Sequence, residues 1–178
     1  MTPQERAREI CRRDRAFRPL IKAVGAPPRR RSAPVDDRFG LLARSITHQL
    51  LATRAANTIH QRVIDVCGGT VSAKAITRCG HAKLRAVGLS NAKAAAMLDL
   101  AQRTIDGRSA FARHGRMTDE EVLSEVVDVR GVGPWTAQMY LLFVLGRPDV
   151  WPPGDLGVRN GWSMVHGLDE VISEADLR

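Results

Sequence analysis

Apolar residues recur three and four positions apart along most of the chain, and alternation with a period of two is nearly absent, so the pattern predicts an all-α fold. A first helix is expected over about Pro3 to Asp14, with another beginning near Ala16. Between Phe39 and Cys67 one apolar stripe, Leu42, Ile46 and Leu50, gives way to a second, Ala56, Ile59, Val63 and Val66, which ends at Gly68-Gly69. The change of stripe from Gln49 to Thr53 predicts two helices meeting at a tight junction. Ser90 can cap a helix from Asn91 to about Ile105 that Gly107 closes. Thr118-Asp119-Glu120-Glu121 has the form of a capping box, in which the Thr hydroxyl and the Glu carboxylate each satisfy a backbone N–H at the start of the next helix.

The pattern breaks where prolines and glycines gather. "VGAPPRRRSAPVDD", Val24 to Asp37, suits an exposed connection; its Arg29, Arg30 and Arg31 read as a solvated loop or as phosphate contacts. "LRAVGLSNAKA" (Leu84 to Ala94) and "VDVRGVGPWTA" (Val127 to Ala137) share a helix–turn–helix outline, in which glycine permits positive φ and close chain approach.

The second of these outlines carries candidate chemistry. Around Arg130-Gly131-Val132-Gly133 the glycine N–H groups are uncrowded, and Pro134 suits the first turn of the helix that follows. Unpaired N–H donors at the positive end of a helix dipole make a site for a backbone phosphate, although an ordinary helix–helix corner uses the same residues. Trp135 to Leu145 has only Thr136, Gln138 and the Tyr140 hydroxyl as polar groups and is expected to be buried nearly all round. Gly146 and Pro148 end it, and "RPDVWPPGD" must be an irregular, proline-stiffened loop. Asp155 closes that loop, at a place where Asp commonly caps a helix.

Charge and composition narrow the partner. Across 178 residues, 27 Lys and Arg against 19 Asp and Glu leave a formal charge of +8, which favours a polyanion or, at the least, solubility. The length suits a single domain over residues 1–178, with room for two lobes. Cys11, Cys67 and Cys79 lack the count and spacing of a disulfide framework, a zinc site or an iron–sulfur cluster, which points to a reducing cytoplasm. The longest apolar run, Met139 to Leu145, is far short of the roughly 20 residues that span a bilayer, and the N-terminus lacks a signal-peptide apolar region. No membrane association is therefore expected.

Taken in order, "SITHQLLATRAANTI", "LRAVGLSNAKAAAMLDLA" and "VRGVGPWTAQMYLLF…GRPDVWPPGDLGVR" resemble the helix-hairpin-helix DNA glycosylases, in the 3-methyladenine DNA glycosylase II branch, over about Phe39 to Arg159. The resemblance implies a bilobal helical fold with the active site in the cleft between lobes. It also implies monofunctional hydrolysis of the N-glycosidic bond of alkylated purines in double-stranded DNA, the opening step of base excision repair, by a monomer that requires no cofactor. In this family the hairpin, here Arg130, Gly131, Val132 and Gly133, grips phosphate, and the aspartate after the proline loop, here Asp155, is catalytic. Trp135, Met139 and Tyr140 would line the base pocket. Gln49 and Leu50 would plug the space left by an extruded nucleotide, Leu50 as the preferred wedge, although a core leucine fits the same stripe. The backbone carbonyls of Val127, Val129 and Val132 would hold a monovalent Na or K ion.

The chain departs from the family at several positions. Trp135 stands where bifunctional members carry a Schiff-base lysine, which favours water as the nucleophile. Met139 stands where some relatives have a pocket tyrosine, Gly154 where many have an acidic residue, and His48 is unusual at its junction. The sequence ends at Arg178, before the final helix usual in the family. The five histidines, at 48, 60, 81, 114 and 166, form no metal motif. Two other functions remain open: a non-enzymatic helix-hairpin-helix module for bent or damaged DNA, and a glycosylase for deaminated or oxidised bases.

Overall fold

The computed structural model describes residues 1–28 and 30–178. Arg29, part of the arginine triplet, lies outside the described residues. The described residues form nine α-helices and one π-helical turn, with no strand. By their contacts they divide into two compact units, Ser32–Arg147 and Met1–Arg31 with Pro148–Arg178.

The larger unit holds α3 (Val35–His48), α4 (Thr53–Val66), α5 (Ala73–Ala86), α6 (Asn91–Ile105), α7 (Asp119–Val127) and α8 (Pro134–Met139), which runs into the π turn Tyr140–Val144. α3 begins at Val35, inside the stretch expected to be a connection, because Pro34 supplies an extended residue from which a helix can start. Local chemistry sets other boundaries where the pattern places them. The Ser90 hydroxyl accepts from Lys93 N–H, and both bonds of the Thr118–Glu121 capping box are present. Leu42, Ile46, Val63, Ile76, Leu84, Met97, Leu100, Val122, Tyr140 and Leu141 are fully enclosed and make the core. Near them lies a polar chain. The Tyr140 hydroxyl is 2.8 Å from His114 Nδ1, and His114 Nε2 is 2.7 Å from Glu125 Oε1, which also accepts from Ala110 N–H at 2.7 Å. With the carboxylate able only to accept, Nε2 carries the ring proton and Nδ1 accepts from the tyrosine.

The smaller unit packs α1 (Pro3–Arg13), α2 (Phe17–Val24) and α9 (Leu156–His166). Its centre is aromatic: Trp162 stacks on His166 at 4.1 Å, and Phe17 and Trp151 meet Trp162 edge-on. His166 Nε2 contacts Asp14 at 2.7 Å, and Trp151 Nε1 donates to the Leu177 carbonyl at 2.9 Å, which ties the chain's last residues to the proline loop.

Candidate nucleic-acid interface and active-site residues

The hairpin joins α7 to α8 through a tight turn, in which Val132 N–H donates to the Val129 carbonyl at 3.0 Å and Gly131 takes a φ of 72°. That φ belongs to the third position of a type II turn, where glycine is free of the Cβ clash. The Val129 and Val132 side chains are buried, whereas Arg130, Gly131 and Gly133 face outward. Two apolar anchors therefore hold an exposed backbone. The four residues are not equivalent as donors: Val132 N–H closes the turn, and Arg130 N–H donates to Asp99 Oδ2 at 2.8 Å. Asp99 also takes Arg103 Nε at 2.9 Å, so α6 buttresses the hairpin. In the sequence, Asp99 and Arg103 look like a common surface pair four residues apart.

Beyond the hairpin the helix is less enclosed than its composition predicts. Thr136, Ala137 and Tyr140 are buried, but Trp135 is 47% exposed and Phe143 53%. Trp135 thus keeps an aromatic surface outside the core, and Met139 is half-buried. Tyr140 corrects the expected pocket trio: its side chain is fully enclosed and its hydroxyl is bonded to His114, so it supports the helix from within. Burial pushes the phenol's pKa upward, and it stays protonated as a donor.

Between α3 and α4 the chain turns through His48 to Leu51, with Leu51 N–H donating to the His48 carbonyl at 3.3 Å. Gln49 (φ −51°, ψ 130°) and Leu50 (φ 55°) occupy the central positions of a type II turn. Among the described residues Leu50 is the one non-glycine with positive φ, and its side chain is fully in water. This overturns its place in the Leu42–Ile46 stripe, because the helix ends at His48, two residues earlier. A left-handed leucine costs about 1–2 kcal/mol, and an exposed one forgoes burial as well, so the surroundings must hold it there.

They do so through Gln49, whose amide Nε2 donates to the Gly131 carbonyl at 3.2 Å and to Thr136 Oγ1 at 3.1 Å. The Gln49 side chain thus ties the turn to the hairpin. His48 turns to its own neighbours, with Nδ1 2.8 Å from the Arg44 carbonyl and Nε2 2.9 Å from Asn57 Oδ1.

Asp155 lies in the smaller unit. A turn over Pro152 to Asp155, closed by Asp155 N–H donating to the Pro152 carbonyl at 3.0 Å, delivers it to the start of α9. There its Oδ1 accepts from Val158 N–H at 2.9 Å, and the residue is half-buried. The carboxylate is therefore an N-cap, with its orientation fixed by the helix that it starts. Two glycines give room for acidic groups: a Cβ on Gly157 would sit 3.0 Å from Asp155 Oδ1, and one on Gly154 would sit 3.3 Å from Glu174 Oε2. No sequence signal marks Glu174, which comes from the chain's final segment.

Residues 43–178 match the family described as HhH-GPD superfamily base excision DNA repair protein. The chain is 30% identical over 161 residues to DNA-3-methyladenine glycosylase 1 of Schizosaccharomyces pombe, covering 89% of this chain and 71% of that one. It spans about half the length of the similar proteins from Bacillus subtilis and Saccharomyces cerevisiae. Among solved structures, a DNA-3-methyladenine glycosidase from Bacillus halodurans aligns with a TM-score of 0.85 at 27% identity, over 99% of this chain and 79% of that one. The S. pombe 3-methyladenine DNA glycosylase in complex with abasic DNA aligns with a TM-score of 0.80 at 29% identity, over 92% and 81%. Matched over most of its length, the chain belongs to the HhH-GPD superfamily of base excision DNA repair proteins.

Proposed function

We propose that this protein is a monofunctional DNA glycosylase that hydrolyses the N-glycosidic bond of alkylated purines, of the 3-methyladenine and 7-methylguanine type, in double-stranded DNA. The observation that carries this reading is Leu50, an apolar side chain held wholly in water on a left-handed residue and tied to the hairpin, in a chain similar to a glycosylase solved on abasic DNA. An exposed apolar wedge beside a phosphate-binding turn suits extrusion of a nucleotide: it enters the stack as the base leaves. The hairpin's outward Gly131 and Gly133 N–H groups and the Arg130 side chain take the DNA backbone. Trp135 and Met139 meet the extruded base, whose positive charge favours an aromatic face.

Asp155 then acts on the sugar. Breaking the bond develops positive charge at C1′, which a fixed carboxylate stabilises while water attacks. An alkylated purine is already cationic and leaves without strong acid help. With Trp135 at the position of a Schiff-base lysine, no lyase step follows. The two units act as one glycosylase domain and as a monomer. The protein works inside the cell; among the described residues, no helix is long and apolar enough to cross a membrane.

A monovalent cation would be held by the carbonyls of Val127, Val129 and Val132. They fit this role in part: Val127 ends α7, where carbonyls present the negative end of the dipole, while the Val129 carbonyl already takes the Val132 N–H and would use its second lone pair. Such an ion would add positive charge beside a bound phosphate.

The test is release of free base from methylated duplex DNA by wild type and Asp155→Asn. Asn keeps the cap of α9, so the fold should persist while base release falls by orders of magnitude. If neither protein releases base but both bind DNA equally well, the protein is a non-enzymatic binder.

A further inference from the structure

Leu50 does not hold its conformation by itself. On the side of the turn contributed by α6, Lys93 Nζ donates to the Thr47 carbonyl at 2.8 Å and to the Gln49 carbonyl at 2.6 Å. Thr47 is in the last turn of α3, where carbonyls lack helical partners and the dipole favours a cation. The Gln49 carbonyl has a more specific place, since it belongs to the central peptide of the turn. The orientation of that peptide distinguishes a type II turn, which puts Leu50 at positive φ, from a type I turn, which would relax it to negative φ. Flipping the peptide would swing the Gln49 oxygen away from the ammonium. Lys93 is itself half-buried; burial costs the ammonium hydration and draws its pKa down, and the two carbonyls are the polar partners that it has in place of water.

We infer that Lys93 is a positioning residue for base extrusion, which selects the type II turn and so keeps Leu50 aimed outward before DNA is met. This rests on the glycosylase reading, in which Leu50 is the wedge. Gln49 fastens one side of the turn to the hairpin, and Lys93 fastens the other to α6. Together they make the strained turn the resting state. A wedge already in place spares the protein a rearrangement at the moment of extrusion, which is the advantage of preorganisation. Without the ammonium, the strain of a left-handed leucine is released and the outward turn becomes about tenfold less populated.

The experiment uses the whole chain and a duplex with 2-aminopurine next to a methylated purine, whose fluorescence rises when the stack opens. Lys93→Met, of similar length and without donors, is expected to lower the fluorescence amplitude and the single-turnover rate of base release about tenfold. Binding to undamaged duplex, carried by phosphate contacts, should change by less than about twofold. A misfolded variant would lose both. Lys93→Gln, with a shorter stem that keeps amide donors, should fall between the two and serves if Lys93→Met does not fold. The decisive arm is the pair Lys93→Met with Leu50→Ala: a residue acting through Leu50 adds nothing once the wedge is gone. The inference is overturned if Leu50→Ala is impaired while both Lys93 variants behave as wild type, or if the two losses multiply. If wild type neither opens the stack nor releases base, the glycosylase reading falls and takes this inference with it.

Discussion

Replacing Leu50 with Asn should make the protein more stable and less active. The side chain is fully exposed, so removing it sacrifices no packing. Its φ of 55° lies in the region where leucine is strained and Asn is tolerated, and relief of that strain amounts to about 1 kcal/mol, the lower end of the leucine cost because Asn keeps part of it. For a chain of 178 residues this corresponds to a rise in Tm of about 2–4 °C per kcal/mol. In the complex the balance reverses. A leucine placed between bases recovers about 1.5–3 kcal/mol of burial that Asn does not, so base release under single-turnover conditions should drop roughly 10- to 150-fold. Thermal melting followed by circular dichroism checks the first half, and chromatography of released base checks the second. A fall in Tm would mean that Leu50 packs rather than strains. Unchanged base release from a more stable protein would remove Leu50 from the mechanism.

Gly157→Ala places a methyl 3.0 Å from Asp155 Oδ1, in the first turn of α9, and should displace the carboxylate, lowering the rate of base release. The weakened N-cap, about 1 kcal/mol, is largely offset by the better helix propensity of alanine, so Tm should change by only a few degrees. A rate equal to wild type would show that the carboxylate has freedom to move without loss. Stability should also depend on mild acid. Burial lowers the pKa of His114 below its ordinary 6.5 despite the pull of Glu125, so its contribution is complete above 6.5 and is lost as pH falls through the lower folded value. Urea unfolding measured at neutral pH and at progressively lower pH should show this loss, and a His114→Gln variant should show less of it. His60, brought down to about 4 by burial and its cationic neighbours, contributes with the same sign.

Much of this protein is legible along the chain, where an interaction spans only a few residues. The caps at Ser90 and Thr118 bond to N–H groups three residues on, and the sequence shows both partners together. The order of hairpin, apolar helix, proline loop and Asp155 was legible for the same reason: each segment carries its own turn chemistry. Leu50 was not, because a leucine four residues after Ile46 continues a helical stripe in one dimension, and nothing in its side chain announces a turn. What placed it outside the helix was a peptide orientation held by Lys93, 44 residues away, and by the Gln49 amide bonded to Gly131, 82 residues away. Tyr140 shows the reverse case: it looked like a pocket residue until His114, 26 residues earlier, claimed its hydroxyl. The sequence by itself determined the all-helical class, the capped helix starts at Ser90 and Thr118 and the residue types offered for chemistry, since these follow from backbone hydrogen bonding within one or two turns, whereas the ends of α3 lay elsewhere than its apolar stripe implied. Only the tertiary structure decided which side chains face water and which are consumed in holding others, because long-range polar contacts outweigh local preference and can stabilise a strained residue that no local rule would predict.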